Sequence, residues 1–144
     1  MPRFLPGLDA VKQHLMDQGE VVLDDGRGLT LRAEPRGNVG LVMVFEPRAG
    51  EIRFVHLVPL SVPEDRLPEF ALALARVNAR LGIGAFHLRE GAEGLTAAFS
   101  IHAYLNHDGT ISDLVVDRCV HACRATVEQF LPELFPGDAA TGSR

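Results

Sequence analysis

At 144 residues, with 47% hydrophobic and 23% charged residues, the chain has the size and composition of one soluble globular domain. Its net charge of −5 argues against a nucleic-acid partner, because phosphates require a basic footprint. No apolar run approaches the roughly 20 residues of a membrane helix, and the first residues lack the apolar core of a signal peptide. We therefore expect a cytoplasmic protein with no membrane partner.

The first half of the chain predicts one helix followed by four antiparallel strands. Apolar residues at helical spacing form a stripe that Gly19 ends, and they are Leu8, Val11, Leu15 and Met16. Turn residues rich in Gly, Pro, Asp and Asn then separate alternating segments, and one such turn is Glu34–Asn38. The predicted strands are Val21–Leu23, Leu29–Ala33, Val39–Glu46 and Glu51–Leu60.

The second half predicts a helix, two strands and a last helix. Ser61 and Glu64 have the spacing of a capping box, and the apolar stripe that follows runs to Leu81. The two predicted strands are Ala85–Glu90 and Leu95–Leu105. Thr110 is the predicted cap of the last helix, which Pro136-Gly137 ends. Its predicted apolar face contains Ile111, Leu114, Val115, Cys119, Ala122, Cys123, Val127, Phe130, Leu131 and Leu134.

The order of these elements is α-β-β-β-β-α-β-β-α. It predicts an α+β domain whose antiparallel sheet has its helices packed on one face. We assign residues 1–136 to this single domain. Residues 137–144 are small and polar, and we expect them to form a disordered C-terminal tail.

The two cysteines are the first candidates for chemistry. Cys119 and Cys123 lie four residues apart, so they share a helical face, whereas His121 points away from both. A closed zinc site needs four ligands, and the chain has no further cysteine. The sequence therefore favours two thiols packed in the core, and we expect no metal and no cofactor.

Histidines are the second candidates. His87 and His102 alternate onto the face opposite Phe86 and Phe99, and they are cross-strand neighbours if their strands pair. A metal or general-base pair is conceivable there, but no carboxylate is placed to orient either ring. Ser100 also lacks the strand-to-helix turn of a hydrolase nucleophile. We therefore expect partly exposed sheet histidines and no enzyme.

The segment VNARLGIGAFHLRE, Val77–Glu90, ends a helix near Asn78 and enters a strand through Gly84 and Phe86. It resembles the corresponding segment of the YbjN family, and the similarity in element order extends over about Leu8–Phe135. The resemblance implies the fold of type III secretion chaperones, which are small α+β domains that commonly dimerise and bind extended segments of client proteins. It also implies a regulatory or sensory role, and it supplies no catalytic residues.

The leading functional hypothesis is thus a non-catalytic, chaperone-like regulatory module that binds a segment of an unidentified protein as a homodimer. A small-ligand-binding sensory domain is the alternative, and an enzyme of unknown type is the third possibility. The strands before and after Pro47 carry apolar residues on both of their faces, which a strand solvated on one face should not do. A second copy would cover the excess apolar surface, and Leu72 and Ala79 of the predicted helix would contribute to the contact.

The predicted partner-binding surface is the sheet face away from the helices. The same face is equally suited to be the dimer contact, because either role would cover its apolar residues. The residues assigned to it are Arg53, Val55, Leu57, His87, Arg89 and His102.

Overall fold

The computed structural model describes residues 1–32, 40–92 and 94–134, without the side chains of residues 59 and 60. The predicted turn Glu34–Asn38, the helix stop at Pro136-Gly137 and the predicted tail over 137–144 lie outside the described residues. Within them, the predicted α+β architecture with an antiparallel sheet is confirmed.

The described helices are α1 (Leu8–Asp17), α2 (Leu67–Asn78) and α3 (Asp113–Leu134), with a 3-10 turn at Glu64–Arg66. The described strands are β1 (Phe4–Leu5), β2 (Val22–Asp24), β3 (Gly28–Leu31), β4 (Leu41–Glu46), β5 (Glu51–Val62), β6 (Ala85–Gly91), β7 (Gly94–Tyr104) and β8 (Ile111–Ser112). The sequence does not predict the two-residue strands β1 and β8, which pair with each other and join the N-terminus to the start of α3.

The described strands of the main sheet are antiparallel and follow the order β2-β3-β4-β5-β7-β6. Alternation places the bulky apolar side chains of the central strands on one face, where Ile52, Phe54 and Phe99 have no exposed surface. Helix α3 packs against β5 and β7, α2 packs against β6, and α1 packs against β2. The core therefore lies between this face and the helices.

The spacing of apolar residues in its sequence explains why α2 is a helix. Phe70, Leu74 and Val77 recur at three- and four-residue spacing and are buried, and Pro68 lies in the first turn, where no helical N–H bond is lost. The predicted capping box is wrong, because Ser61 belongs to strand β5. A register shift between Leu57 and Ser61 extends that strand to Val62, so the 3-10 turn begins only at Glu64.

The predicted apolar face of α3 is correct from Cys119 to Leu134 but wrong at the start. Leu114 and Val115 are exposed, whereas Val116 and Val120 are buried. The predicted Thr110 cap is also wrong: the backbone N–H of Leu114 donates to Ser112 Oγ at 3.2 Å. Strand β8, which pairs with β1, directly precedes α3, and the helical period alone does not reveal this strand.

Helix α1 buries Val11 and Leu15 as predicted, but Met16 is exposed and His14 takes its place. His14 Nε2 donates to Asp117 Oδ1 at 2.8 Å, and its Nδ1 accepts from Arg3 Nη2 at 3.2 Å. Arginine can only donate, so this geometry requires the neutral ring with its proton on Nε2. Through these two hydrogen bonds the histidine links the N-terminal segment and α1 to α3.

Among the described helices, none combines the length and the apolar character needed to cross a bilayer.

Candidate functional site

The candidate site is the sheet face opposite the helices, which we call the open face. One row across it consists of side chains paired strand to strand, and its members are Leu23, Thr30, Val42, Val55, Ser100 and Ala85. Val42 and Val55 remain half-buried although they lie at the centre of the sheet. No described helix covers them, so the surplus of apolar residues in β4 and β5 lies on this face.

A groove of about 740 Å³ runs along the open face. Its floor is apolar, with Val42, Val44 and Val55 from β4 and β5. Its residues from β6, β7 and the preceding loop are Ile83, Gly84, Ala85, His87, Arg89, Ser100, Ile101 and His102, and Arg53 completes the lining. The volume is within the usual range of roughly 300–1,000 Å³ for ligand sites, and the groove is partly open to solvent.

Five of the six predicted surface residues line this groove: Arg53, Val55, His87, Arg89 and His102. Leu57 lies on the same face, paired with Ala98, but it does not line the groove. These five residues thus lie on the face to which the alternation of the strands assigns them. Whether these residues bind a partner stays a prediction.

The prediction that His87 and His102 are cross-strand neighbours is wrong. His87 pairs with Ala98, and His102 pairs with Arg53 on the other side of β7. Ala98 and His102 are four positions apart in β7, which is about 13 Å along a strand. The two imidazoles line one groove without forming a metal or general-base pair.

At the end of the groove near Arg53, which we call its lower end, two carboxylates lie beside one arginine and one histidine. Arg53 Nη2 lies 3.3 Å from Glu46 Oε1, and His102 Nδ1 lies 3.3 Å from Glu51 Oε1. Arg53 Nε is buried and 3.8 Å from Glu51 Oε1, and it has no hydrogen-bond partner among the described atoms. Arg89, at the upper end, forms no ion pair with a described residue. Among the residues that the structure describes, no carboxylate compensates this positive charge.

His87 and Ser100 form a hydrogen bond that the sequence does not indicate, with 2.7 Å between Nε2 and Oγ. Partial desolvation lowers the pKa of His87, and Arg89 and His102 lower it further. Desolvation, the largest of these causes, therefore disfavours the protonated form of the ring. Among the described residues no carboxylate orients this imidazole, so the pair lacks the third group of a hydrolytic triad.

The two cysteines, the other candidates for chemistry, lie in the core. Cys119 and Cys123 are buried, and desolvation raises the pKa of Cys123 to about 12. Exposed His121 lies away from them. In the described part of the chain, no three His, Cys, Asp or Glu side chains are close enough to hold a metal ion.

Comparison with known proteins bears on the fold and on the family. A family model described as “YbjN: Putative bacterial sensory transduction regulator” matches residues 7–136. The chain belongs to the YbjN family. A solved structure described as “Crystal structure of YbjN, a putative transcription regulator from E. coli” is similar with a TM-score of 0.65. The two chains are 17% identical, and the match covers 95% of each. A search of curated protein sequences finds no match.

Two of the residues that carry the resemblance to YbjN proteins, Asn78 and Phe86, bond each other at the edge of β6. Asn78 Nδ2 donates to the carbonyl of Phe86 at 2.9 Å, and the N–H of Phe86 donates to Asn78 Oδ1 at 2.8 Å. The side chain thus pairs with the outer edge of β6 as a neighbouring strand would. It fixes the distance between α2 and the strand that carries His87 and Arg89.

Gly84 is another of these residues, and its conformation is open only to glycine. Its φ is +73°, and a Cβ would lie 2.5 Å from Phe99 Cζ and 2.7 Å from the carbonyl oxygen of Ser100. The backbone of this YbjN domain can therefore pass close over β7 and turn into β6. The loop brings Ile83 to the rim of the groove.

Proposed function

We propose that this protein is a non-catalytic regulatory module of the YbjN family that binds an extended segment of a partner protein in the groove of the open face. The chain acts as a homodimer in this proposal, and its action is chaperone-like in the sense that it holds a segment without changing it chemically. We place it in the cytoplasm.

The observation that carries the proposal is the open face itself. An antiparallel sheet whose second face is solvated should alternate cleanly between apolar and polar residues. Here Val42, Val44 and Val55 lie in adjacent positions on that face, at the floor of the groove. Apolar side chains of a bound segment would remove this floor from water, and each fully buried side chain contributes roughly 1.5–3 kcal/mol.

The charges specify the chemistry of the segment. Glu46 and Glu51 lie beside Arg53 at the lower end, whereas Arg89 at the upper end forms no ion pair within the described part of the chain. A carboxylate near Arg89 would therefore be favourable, and a lysine or arginine there would be repelled. The proposed segment has apolar anchors for the floor and an acidic residue for the upper rim.

Regulation rather than catalysis is supported by two observations. The family model describes a sensory transduction regulator, and the comparison structure is described as a transcription regulator. The Ser100–His87 hydrogen bond lies on an open surface without an orienting carboxylate among the described residues. The groove thus offers binding surface but an incomplete set of groups for acid–base or nucleophilic chemistry.

A small ligand is the second candidate, because the groove volume is within the range of ligand sites and His87 with Ser100 offers polar contacts. The two candidates differ in what they require. A small ligand needs enclosure for most of its surface, whereas a protein segment can extend along an open groove. The openness of this groove favours the segment.

Selection from a phage library of random dodecapeptides tests the proposal directly. Peptides enriched on the wild-type protein should carry apolar residues together with Asp or Glu, and fluorescence anisotropy then gives their dissociation constants. Val55→Asp should weaken binding at least tenfold, because it places a charge on the apolar floor. Val21→Asp is the matched control, since Val21 is exposed outside the groove and the change is the same.

A library with no enriched peptide would contradict segment binding. So would peptides that bind wild type and Val55→Asp equally well, because their site would lie elsewhere. If a defined panel of small carboxylates and phosphates instead raises the melting temperature of wild type but not of Arg89→Gln, the small-ligand function replaces the one proposed.

A further inference from the structure

A row of hydrogen-bond donors crosses the open face at the upper end of the groove. Ser61 of β5 pairs with Thr96 of β7, and Thr96 pairs with Arg89 of β6. Directly paired residues have Cβ atoms about 4.5–5.5 Å apart on one face, so the three side chains stand side by side over roughly 10 Å. The row therefore presents two hydroxyl groups and one guanidinium group to the same space.

The irregular pairing of β5 with β7 is what places Ser61 in this row. Leu57 pairs with Ala98 and Ser61 pairs with Thr96, so four positions along β5 correspond to two positions along β7. Because both steps are even, Ser61 stays on the face that carries Leu57, while the following residue, Val62, is buried in the core. The exposed Ser61 hydroxyl thus belongs to the open face.

The donors of this row are not engaged within the described part of the chain. The side chains of Ser61, Thr96 and Arg89 form no hydrogen bond or ion pair with a described residue. Ser61 and Arg89 are exposed, and Thr96 is half-buried. Arg53 at the lower end, by contrast, lies beside two carboxylates. The upper end therefore offers a cation and two hydroxyl donors to an anion from outside.

This set of donors matches a phosphate ester better than a carboxylate. The planar guanidinium group of Arg89 can donate two parallel N–H bonds, and these occupy both oxygens of a carboxylate. A phosphate ester has three terminal oxygens in a tetrahedral arrangement, so one of them is left to accept from the Thr96 hydroxyl. Its charge of roughly −1.5 to −2 at pH 7 also exceeds that of a carboxylate, so its attraction to Arg89 is stronger.

We infer that the row of Ser61, Thr96 and Arg89 binds the phosphate group of a phosphorylated serine or threonine in the partner segment. The inference rests on the segment binding of the proposed function and names the group that the segment places at the upper end. Arg89 also lines the groove, so a bound phosphate leads directly onto the apolar floor. Phosphorylation of the segment then controls how tightly this protein holds it.

Three versions of the strongest selected peptide test the inference by fluorescence anisotropy. They carry aspartate, phosphoserine or unmodified serine at the selected acidic position. On the wild-type protein, the phosphoserine peptide should bind at least about tenfold more tightly than the serine peptide and about threefold more tightly than the aspartate peptide, because it adds charge and an acceptor oxygen. Inorganic phosphate should bind far more weakly, since it does not reach the floor.

Substitutions in the row separate a phosphate site from general electrostatic attraction. Arg89→Gln should reduce the preference for phosphoserine over serine to less than about twofold, and Thr96→Val, which removes one hydroxyl at nearly constant shape, should reduce it roughly threefold. Ser61→Ala should have a smaller effect, because Ser61 is one strand further from Arg89. Arg48→Gln is the matched control: Arg48 is exposed in the turn before β5, and its loss should leave the preference unchanged.

His87 provides a readout that is independent of affinity. Desolvation chiefly lowers the pKa of His87, and Arg89, two residues further along the same face of β6, lowers it further. A phosphate group beside Arg89 should therefore raise the pKa of His87. Imidazole proton shifts followed against pH should show this rise with the phosphoserine peptide and not with the serine peptide.

A phosphoserine peptide that binds no more tightly than the aspartate peptide, or a preference that persists in Arg89→Gln, would overturn this inference and leave segment binding in place. Inorganic phosphate that binds as tightly as the phosphoserine peptide would overturn the segment as the source of the phosphate group.

If the selection enriches no peptide, N-acetyl-phosphoserine amide replaces the peptides as the probe. Amide shifts at Arg89 and Thr96 on its addition would support the phosphate site although segment binding has failed. Absence of these shifts would overturn the phosphate site together with segment binding.

Discussion

Replacement of Asn78 by alanine should show how much one side chain stabilises the edge of the sheet at β6. Asn78 forms two hydrogen bonds, at 2.9 and 2.8 Å, with the carbonyl and the N–H of Phe86, and all the atoms involved are partly buried. A net hydrogen bond contributes roughly 0.5–1.5 kcal/mol, so Asn78→Ala should lower the free energy of unfolding by about 1–3 kcal/mol. For a domain of this size, each kcal/mol corresponds to a fall in melting temperature of roughly 3–5 °C.

Urea unfolding followed by circular dichroism measures this loss. Asn106→Ala is the matched control, because the Asn106 side chain bonds Thr110 Oγ1 at 3.0 Å in an exposed turn. That variant should lose less than about 0.5 kcal/mol. A loss at Asn78 no larger than the loss at Asn106 would refute the interpretation that Asn78 replaces a missing strand at the edge of β6.

Asn78→Asp adds a pH dependence whose sign follows from the same geometry. An ionised carboxylate accepts from the N–H of Phe86 but repels its carbonyl oxygen, so the pKa of the new group should rise in the folded state. A group with a raised folded-state pKa stabilises most below its unfolded pKa of about 3.9. The variant should therefore approach wild-type stability in acid and lose stability as pH rises.

Three further predictions follow from single sites. Gly84→Ala should cost at least about 2 kcal/mol because of positive φ and overlap with β7, whereas Gly82→Ala, with open space around it, should cost almost nothing; equal losses would contradict the account. The hydrogen bond from Arg124 lowers the pKa of Glu20, so its stabilisation is present above the unfolded pKa near 4.5 and is lost as pH falls through the folded pKa. Between these two pKa values, Glu20→Gln should make the free energy of unfolding less dependent on pH, and an unchanged pH profile would contradict this. Because the pKa of the Cys123 thiol is raised to about 12, iodoacetamide at pH 8 should not modify it in the folded protein, and modification as fast as in urea would contradict its burial.

The sequence predicts most of the architecture because its signals are local. The spacing of Phe70, Leu74 and Val77 specifies the buried side of α2, and alternation in β5 separates Ile52 and Phe54 from Arg53. The composition of the open face follows from the same alternation. These features need no knowledge of which strand lies beside which.

What the sequence does not predict depends on register and on long-range contacts. Ser61 extends β5 because the ladder with β7 shifts between Leu57 and Ser61. His87 and His102 lie apart because the β6–β7 pairing, which ends at Gly91 opposite Gly94, sets their positions. No periodicity in a single strand contains this information.

His14 illustrates the same limit for a buried polar residue. Its position in α1 is compatible with the solvent face, but both of its ring nitrogens form hydrogen bonds. One partner is Asp117, which is far away along the chain, and the other is Arg3, which precedes the helix. Burial of a polar group requires such partners, and they are known only once the chain is folded. Leu114 and Val115 are exposed for a related reason, since β8 fixes where α3 begins.

Backbone amide shifts on titration with the strongest selected peptide test the central claim most directly. If a partner segment binds in the groove of the open face, the largest changes should lie at Val42, Val55, Arg89 and Ser100, and the amides of α2 around Leu72 should not move. Changes confined to α2, or to the core side of the sheet, would contradict the account.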